Sequence, residues 1–202
     1  MEIVCLDLEG VLVPEIWIAF SEKSGIPELR RTTRDEPDYD KLMRWRLGIL
    51  REHGLGLKEI QAVIAGIRPL EGAREFLDTL RARTQVVIIS DTFTQFAKPL
   101  MEKLGWPTLL CNDLVVGEDG GILDYRMRCA DSKLTTVRAL QSAGLRTLGV
   151  GDSYNDLGMI RADLPGVLFR STDAIRAQNP DVYACDTYPE LLAAIERGLA
   201  TA

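Results

Sequence analysis

The chain has 202 residues, 46% of them apolar, and a formal net charge of −6. That apolar share supports a sizeable core and argues against disorder, while the acidic balance argues against a nucleic-acid backbone or an anionic membrane surface as partner. No apolar run approaches the roughly 18 residues of a membrane span, and no basic-then-apolar leader precedes the first apolar run, so a soluble, cytoplasmic protein is expected.

In chain order, "EIVCL" (Glu2–Leu6) is apolar and rich in strand formers, as a strand buried on both faces would be. Two acids, Asp7 and Glu9, follow it directly. Buried carboxylates are costly without a cationic partner; the plain alternative is that the strand ends there and the acids face water. Residues 13–67 contain no convincing strand and offer three helical patterns, "PEIWIAFSEKSG", "DYDKLMRWRLGILREHG" and "LKEIQAVIAG". An all-helical insert directly after the first strand reads as a cap, leaving 1–12 and 68–202 as the core domain.

Beyond the insert, "LEGAREFLDTLRAR" is helical and precedes a second strand, "QVVIIS" (Gln85–Ser90). "LVVGEDGGILDYRMR" alternates around a Gly-rich turn, as in a β-hairpin. "DSKLTTVRALQSAG" is a helix with Asp131 or Ser132 as N-cap and Gly144 just past its end. Strands follow at Arg146–Asp152, Gly166–Phe169 and Asp181–Cys185, and "TYPELLAAIERGLA" makes an amphipathic last helix. This alternation predicts an α/β fold: a doubly wound parallel sheet with an inserted helical cap and an appended hairpin.

The four cysteines are scattered with no C-x-x-C pair, which fits a reduced compartment and no disulfide framework. The single histidine, His53, sits before Gly54 at a helix end, which is reason enough for it to be there. A His-rich zinc site is therefore excluded.

In a parallel sheet, ligands bind beyond the carboxyl ends of the strands. Three such ends are polar here: Asp7-Leu8-Glu9-Gly10, Ser90-Asp91-Thr92 and Gly151-Asp152-Ser153-Tyr154-Asn155-Asp156. Converging on one crevice, Asp7 and Asp152 would supply oxygen ligands to a hard cation such as Mg²⁺. Lys133, in the first turn of its helix, opposes the helix dipole; it is either a solvated lysine or the cation these acids require.

These residues resemble a known family. "DLEGV", "SDT", Lys133 and "GDSYND" match in order the four motifs of the haloacid dehalogenase-like phosphatases, over essentially the whole chain. Within it the chain looks most like the phosphoserine phosphatases, especially bacterial members that also transfer the phosphoryl group to homoserine and share DLEG.

The resemblance implies that Asp7 is a nucleophile forming an aspartyl-phosphate. It implies Mg²⁺ held by Asp7, Asp152 and Glu9 (through its backbone carbonyl), Asp156 behind them orienting a metal-bound water or Lys133, and Lys133 on the equatorial oxygens. Ser90 would bond the phosphoryl group and Asn155 would touch substrate. Glu9 would be general acid, then general base; most relatives have Asp there, and the extra methylene would leave room for an acceptor alcohol. The second motif departs too, since many relatives have Ser-Gly-Gly: Asp91 would bind a substrate amino group or cap the following helix. At the substrate end, Glu15 suits an ammonium and Arg46 a carboxylate. Their ordinary readings are an acid at a helix start and, for Arg46 or its neighbour Arg44, surface charge.

The expected partner is thus a small phosphorylated amino acid, with no nucleic acid and no membrane. The rival substrates are phosphocholine, pyridoxal phosphate and a methionine-salvage enol phosphate. A non-catalytic phosphate-metabolite binding module would be expected to lack the nucleophile or the lysine.

Overall fold

A computed structural model describes residues 1–32, 35–36 and 38–201; of the insert at 13–67, Thr33, Arg34 and Pro37 lie outside the described residues. The elements run β1 (Glu2–Leu6), α1 (Ile16–Ser24), α2 (Tyr39–Glu52), α3 (Leu57–Ala65), α4 (Ala73–Arg81), β2 (Gln85–Phe93), α5 (Thr94–Lys103), β3 (Leu109–Val116) and β4 (Ile122–Arg126). They continue with α6 (Ser132–Ser142), β5 (Arg146–Gly151), α7 (Leu157–Ile160), β6 (Val167–Phe169), α8 (Asp173–Gln178), β7 (Tyr183–Cys185) and α9 (Tyr188–Leu199).

The seven strands form one sheet in the order β4-β3-β2-β1-β5-β6-β7. All neighbours are parallel except β3 and β4. The chain leaves β1 toward β2 and later returns to its other side with β5, so a topological switch lies between β1 and β5. A crevice opens there, at the carboxyl ends of the strands.

Side-chain alternation shows why β1 is apolar from Ile3 to Leu6. Val4 and Leu6 pack into one buried cluster with Ala73, Phe76 and Leu77 of α4 and Leu191 and Ile195 of α9. Cys5 points the other way, into a cluster with Val87, Ile89, Val137 of α6 and Met159 of α7. A strand covered on both faces has no use for a polar alternate, and each fully buried aliphatic side chain contributes roughly 1.5–3 kcal/mol.

The loop after β1 is fixed from two sides. Tyr188, stacked on Phe76 at 4.9 Å, donates its hydroxyl to the Val11 carbonyl at 2.7 Å. Leu70 N–H donates to the Leu12 carbonyl at 2.9 Å. Helices α1, α2 and α3 pack into the same larger cluster, through Phe20, Met43 and Ile64. Trp17 meets Phe96 of α5 edge-on at 5.4 Å.

The sequence reading is corrected at several boundaries. β2 does not stop at Ser90 but continues through Phe93, pairing with Asn112 of β3 after a register shift. The hairpin is appended to the sheet as expected, but it begins earlier than Leu114. Its first strand starts at Leu109, pairs with β2, and carries β4 as the sheet's outer edge. Helix α5 went unread because Pro99 interrupts its pattern. The last strand begins at Tyr183 rather than Asp181.

Candidate active site

The polar strand ends line one cleft of about 270 Å³ with Asp7, Glu9, Ser90, Asp91, Lys133, Asp152 and Asn155 in its walls. Glu15 and Arg46 join it from the insert side. A wider groove of about 730 Å³ elsewhere, bordered by Arg68, Arg74, Asp78 and Lys103, brings surface charges together but no comparable cluster.

Asp7 follows β1 and its N–H bonds the Val150 carbonyl of β5 at 2.9 Å, which pins it at the switch point. Its Oδ1 accepts from Leu8 N–H at 2.7 Å and lies 3.0 Å from Lys133 Nζ. Among the described residues nothing donates to Asp7 Oδ2 or to the Glu9 carbonyl oxygen. Burial holds the Asp7 carboxyl well above the usual carboxylate range against the pull of Lys133, and Asp156 and Asp152 push it the same way.

Lys133 reaches the site from the second position of α6, and its Nζ also meets Asp156 Oδ1 at 2.5 Å. Burial lowers its proton affinity, but Asp7, Asp156 and Asp91 together outweigh that and keep the ammonium charged. The other Asp156 oxygen accepts from Asp152 N–H and Ser153 N–H, both at 3.0 Å. Asp156 is thus fully committed: one oxygen clamps the lysine, the other folds the turn that presents Asp152.

One carboxylate oxygen each from Asp7, Asp152 and Asp156 lies within 4.8 Å of the others. Three acids around one lysine leave negative charge in excess, and an all-oxygen donor set is what a hard divalent cation takes. The residues therefore fit Mg²⁺, with Asp7 and Asp152 keeping oxygen free for it and Asp156 behind them. Space is made by Gly10, at φ +76°, where a Cβ would stand 2.5 Å from Asp152 Cγ. Burial, then Asp156 and Glu15, raise the Asp152 carboxyl to about 6.

Glu9 turns toward α1, where its Oε2 accepts from Ile16 N–H at 2.8 Å, an anion at a helix N-terminus. Burial and the charge of Glu15 still push its carboxyl up to about 8, against the Ile16 N–H, Arg46 and Lys133. Ser90 is buried, with its Oγ accepting from Thr92 N–H at 3.2 Å. Glu15 is exposed at the N-cap of α1.

Of the two arginines in α2, Arg44 is the surface charge, paired with Asp40 at 2.7 Å on an exposed face. Arg46 is only 5% exposed. Its guanidinium lies 4.5 Å over the Trp17 ring, donates to the Arg31 carbonyl at 2.7 Å, and leaves Nε with no partner among the described residues. Burial lowers it to about 10, opposed by Tyr39, Glu9 and Glu15.

Asp91 does not cap the following helix, whose N-cap is Phe93 with no side-chain bond. Its carboxylate accepts instead from Ser132 Oγ at 2.5 Å and Asn155 Nδ2 at 3.1 Å. Likewise Asp131 occupies the N-cap of α6 in a left-handed conformation without a cap bond, while Gly144 lies past its end at φ +84° as expected. His53 ends α2 away from the cleft.

Sequence reasoning missed Trp17, Thr32, Tyr39 and Ser153 in the cleft wall. Tyr39, Met43 and Arg46 stand at helical spacing on one face of α2, a signal that could have found the tyrosine.

The family model for haloacid dehalogenase-like hydrolases matches residues 1–162. A phosphoserine phosphatase of Pseudomonas syringae pv. tomato is 54% identical over 191 residues, covering 95% of this chain and 81% of that protein. Phosphoserine phosphatase ThrH of Pseudomonas aeruginosa is 53% identical over 191 residues, covering 95% and 93%. A substrate-bound phosphoserine phosphatase structure shares the fold at a TM-score of 0.76 and 19% identity, over 95% of this chain and 97% of that one.

Proposed function

The chain belongs to the haloacid dehalogenase-like hydrolases, and on that premise we propose that it is a Mg²⁺-dependent phosphoserine phosphatase working through an aspartyl-phosphate on Asp7. The observation that carries the substrate is Arg46. In the same cleft as Asp7, this buried guanidinium has an Nε with no acceptor among the described residues. Leaving a buried donor unmade costs about 1–3 kcal/mol, and a planar carboxylate is the partner its fork fits. Glu15, exposed beside it, suits the ammonium of an amino acid.

In the first half-reaction an Asp7 oxygen attacks phosphorus and the serine alkoxide leaves, taking the proton of Glu9. A carboxyl raised to about 8 is protonated at neutral pH and fit to give that proton. In the second, water attacks phosphorus, Glu9 takes its proton, and Asp7 is released with free phosphate. Lys133 and Ser90 stabilise the equatorial oxygens, where preorganised charge counts most. Mg²⁺, held by Asp7, Asp152 and the Glu9 carbonyl, would neutralise phosphate charge. Asp156 positions Lys133, and Asn155 borders the substrate.

Residues 1–12 and 68–202 are the catalytic core in this reading, and 13–67 the cap that selects the substrate. An alcohol seated where water attacks would receive the phosphoryl group instead; L-homoserine is the acceptor to test. No helix among the described residues is long and apolar enough to cross a membrane, and a small phosphorylated amino acid in the cytoplasm is the proposed partner.

Phosphorus NMR of the protein with L-phosphoserine and Mg²⁺, with and without L-homoserine, tests this. Free phosphate that disappears on chelation is expected, with a phosphohomoserine signal if transfer occurs. Intact phosphoserine beside a hydrolysed aryl phosphate would overturn the substrate.

A further inference from the structure

We infer that Asp91 is a positioning residue: its carboxylate ties the amino end of α6 and Asn155 to the end of β2, and thereby holds Lys133 and Asn155 in register with Asp7. Asp91 lies in the cleft wall, where a substrate ligand would also lie. Both of its oxygens, however, are already engaged by neutral donors of the protein, Ser132 Oγ at 2.5 Å and Asn155 Nδ2 at 3.1 Å. These partners stand 41 and 64 residues further along the chain.

The main chain of Asp91 is held as firmly. Its carbonyl accepts from Asn112 Nδ2 at 3.1 Å and from the Tyr39 hydroxyl at 3.3 Å. Asn112 is fully buried, and its Oδ1 accepts from Arg128 N–H at 2.9 Å in the loop that leads into α6. Asp91 is therefore the point where α2, β3, α6 and the turn after β5 meet.

Helix α6 gives the reason. It starts with Asp131 in a left-handed conformation and no side-chain cap, and it carries a cation at its second position, both unfavourable at a helix N-terminus. The next side chain, Ser132, turns its hydroxyl to Asp91 rather than to its own helix. An acid placed there offsets the dipole and fixes the first turn. Lys133 is then aimed at Asp7 and Asp156 without side-chain freedom to lose.

The inference rests on the proposed chemistry of Asp7 and Lys133, not on phosphoserine, so p-nitrophenyl phosphate serves as probe. Values of kcat, KM and Tm would be measured for Asp91→Ala, Asp91→Asn, Ser132→Ala and Asn155→Ala, and for Asp91→Ala combined with each of the last two. Asp91→Ala is expected to lower kcat about 10–100-fold with KM within about threefold, as small misplacement of reacting groups does. Asp91→Asn should recover most of that loss, because its carbonyl can accept from Asn155 while its amide donates to Ser132. In kcat, Asp91→Ala combined with Ser132→Ala should be no slower than Asp91→Ala beyond about twofold, since the pair acts as one unit; the Asn155→Ala combination adds only a KM rise from its place beside the substrate.

Multiplying losses in kcat, or a KM rise with kcat intact in Asp91→Ala, would overturn the inference, as would an Asn variant as slow as the Ala variant. Should Asp91→Ala not fold, Ser132→Ala carries the test: kcat is expected to fall at unchanged KM, and an unchanged kcat overturns it. Hydrolysis of the aryl phosphate but not of phosphoserine would contradict the proposed substrate and leave Asp91 in place.

Discussion

Lys133 Nζ stands 3.0 Å from Asp7 Oδ1, and both side chains are buried. The pair joins residues 126 positions apart through two elements, the end of β1 and the first turn of α6. In this arrangement one ammonium answers to several carboxylates, so removing either partner has opposite consequences for stability.

Lys133→Ala leaves Asp7 and Asp156 buried without their cation. Breaking a buried pair from one side costs about 3–5 kcal/mol, so the metal-free variant should melt well below the parent. Turnover should fall about 100- to 1,000-fold, the usual loss for one preorganised charge. Differential scanning calorimetry and steady-state kinetics check both.

Asp7→Asn should abolish turnover without lowering the melting temperature in chelator. Burial, Asp156 and Asp152 already disfavour the ionised form of Asp7 more than Lys133 favours it, and a neutral amide removes that conflict. A clear drop in melting temperature would show that Asp7 stabilises the fold rather than serving only the chemistry.

Gly10→Ala tests the space left for Asp152. A methyl group there meets Asp152 Cγ at 2.5 Å and sits at φ +76°. The left-handed backbone alone costs about 1–3 kcal/mol for a non-glycine residue, and the displaced carboxylate should raise the Mg²⁺ concentration needed for half-maximal activity. A metal titration of the variant measures this directly.

Arg46→Ala should raise KM for phosphoserine roughly 10- to 100-fold, the equivalent of one charged hydrogen-bonded contact at about 1.5–3 kcal/mol. Hydrolysis of p-nitrophenyl phosphate, which has no carboxylate, should change less than about threefold on the same scale. Arg44→Ala is the control, since an exposed helix ion pair such as Arg44–Asp40 contributes little.

Glu9→Gln should slow phosphoserine turnover by about 100- to 10,000-fold, the range for a lost general acid and base; with an aryl phosphate the first release of phenol should slow much less, because that leaving group needs no proton, while steady turnover stays limited by attack of water. Glu9→Asp should shift the ratio of homoserine transfer to hydrolysis. An unchanged ratio would deprive the longer side chain of its suggested role.

The sheet was legible because strands buried on both faces read as apolar runs, and β1, β2 and β5 run into polar residues at their carboxyl ends that the core cannot hold. Asp7, Ser90 and Asp152 share one cleft for that reason, and Lys133 joins them from the first turn of α6. What the sequence hid depends on partners distant along the chain. Nothing local to "SDT" says that Asp91 meets Ser132 and Asn155. The start of the hairpin's first strand went unread because its pairing with β2, at Leu109–Asn112, lies upstream of the turn that marks the hairpin. Arg44 and Arg46 are alike in composition, and only the orientation of α2 buries one and exposes the other.

The most direct test is to mix the protein with Mg²⁺ and phosphorus-labelled L-phosphoserine, quench in acid during turnover, and map the label. A hydroxylamine-sensitive acyl phosphate is expected on the peptide containing Asp7, and none in Asp7→Asn. Label on any other residue, or release of phosphate with no labelled protein at any time, would contradict an aspartyl-phosphate on Asp7.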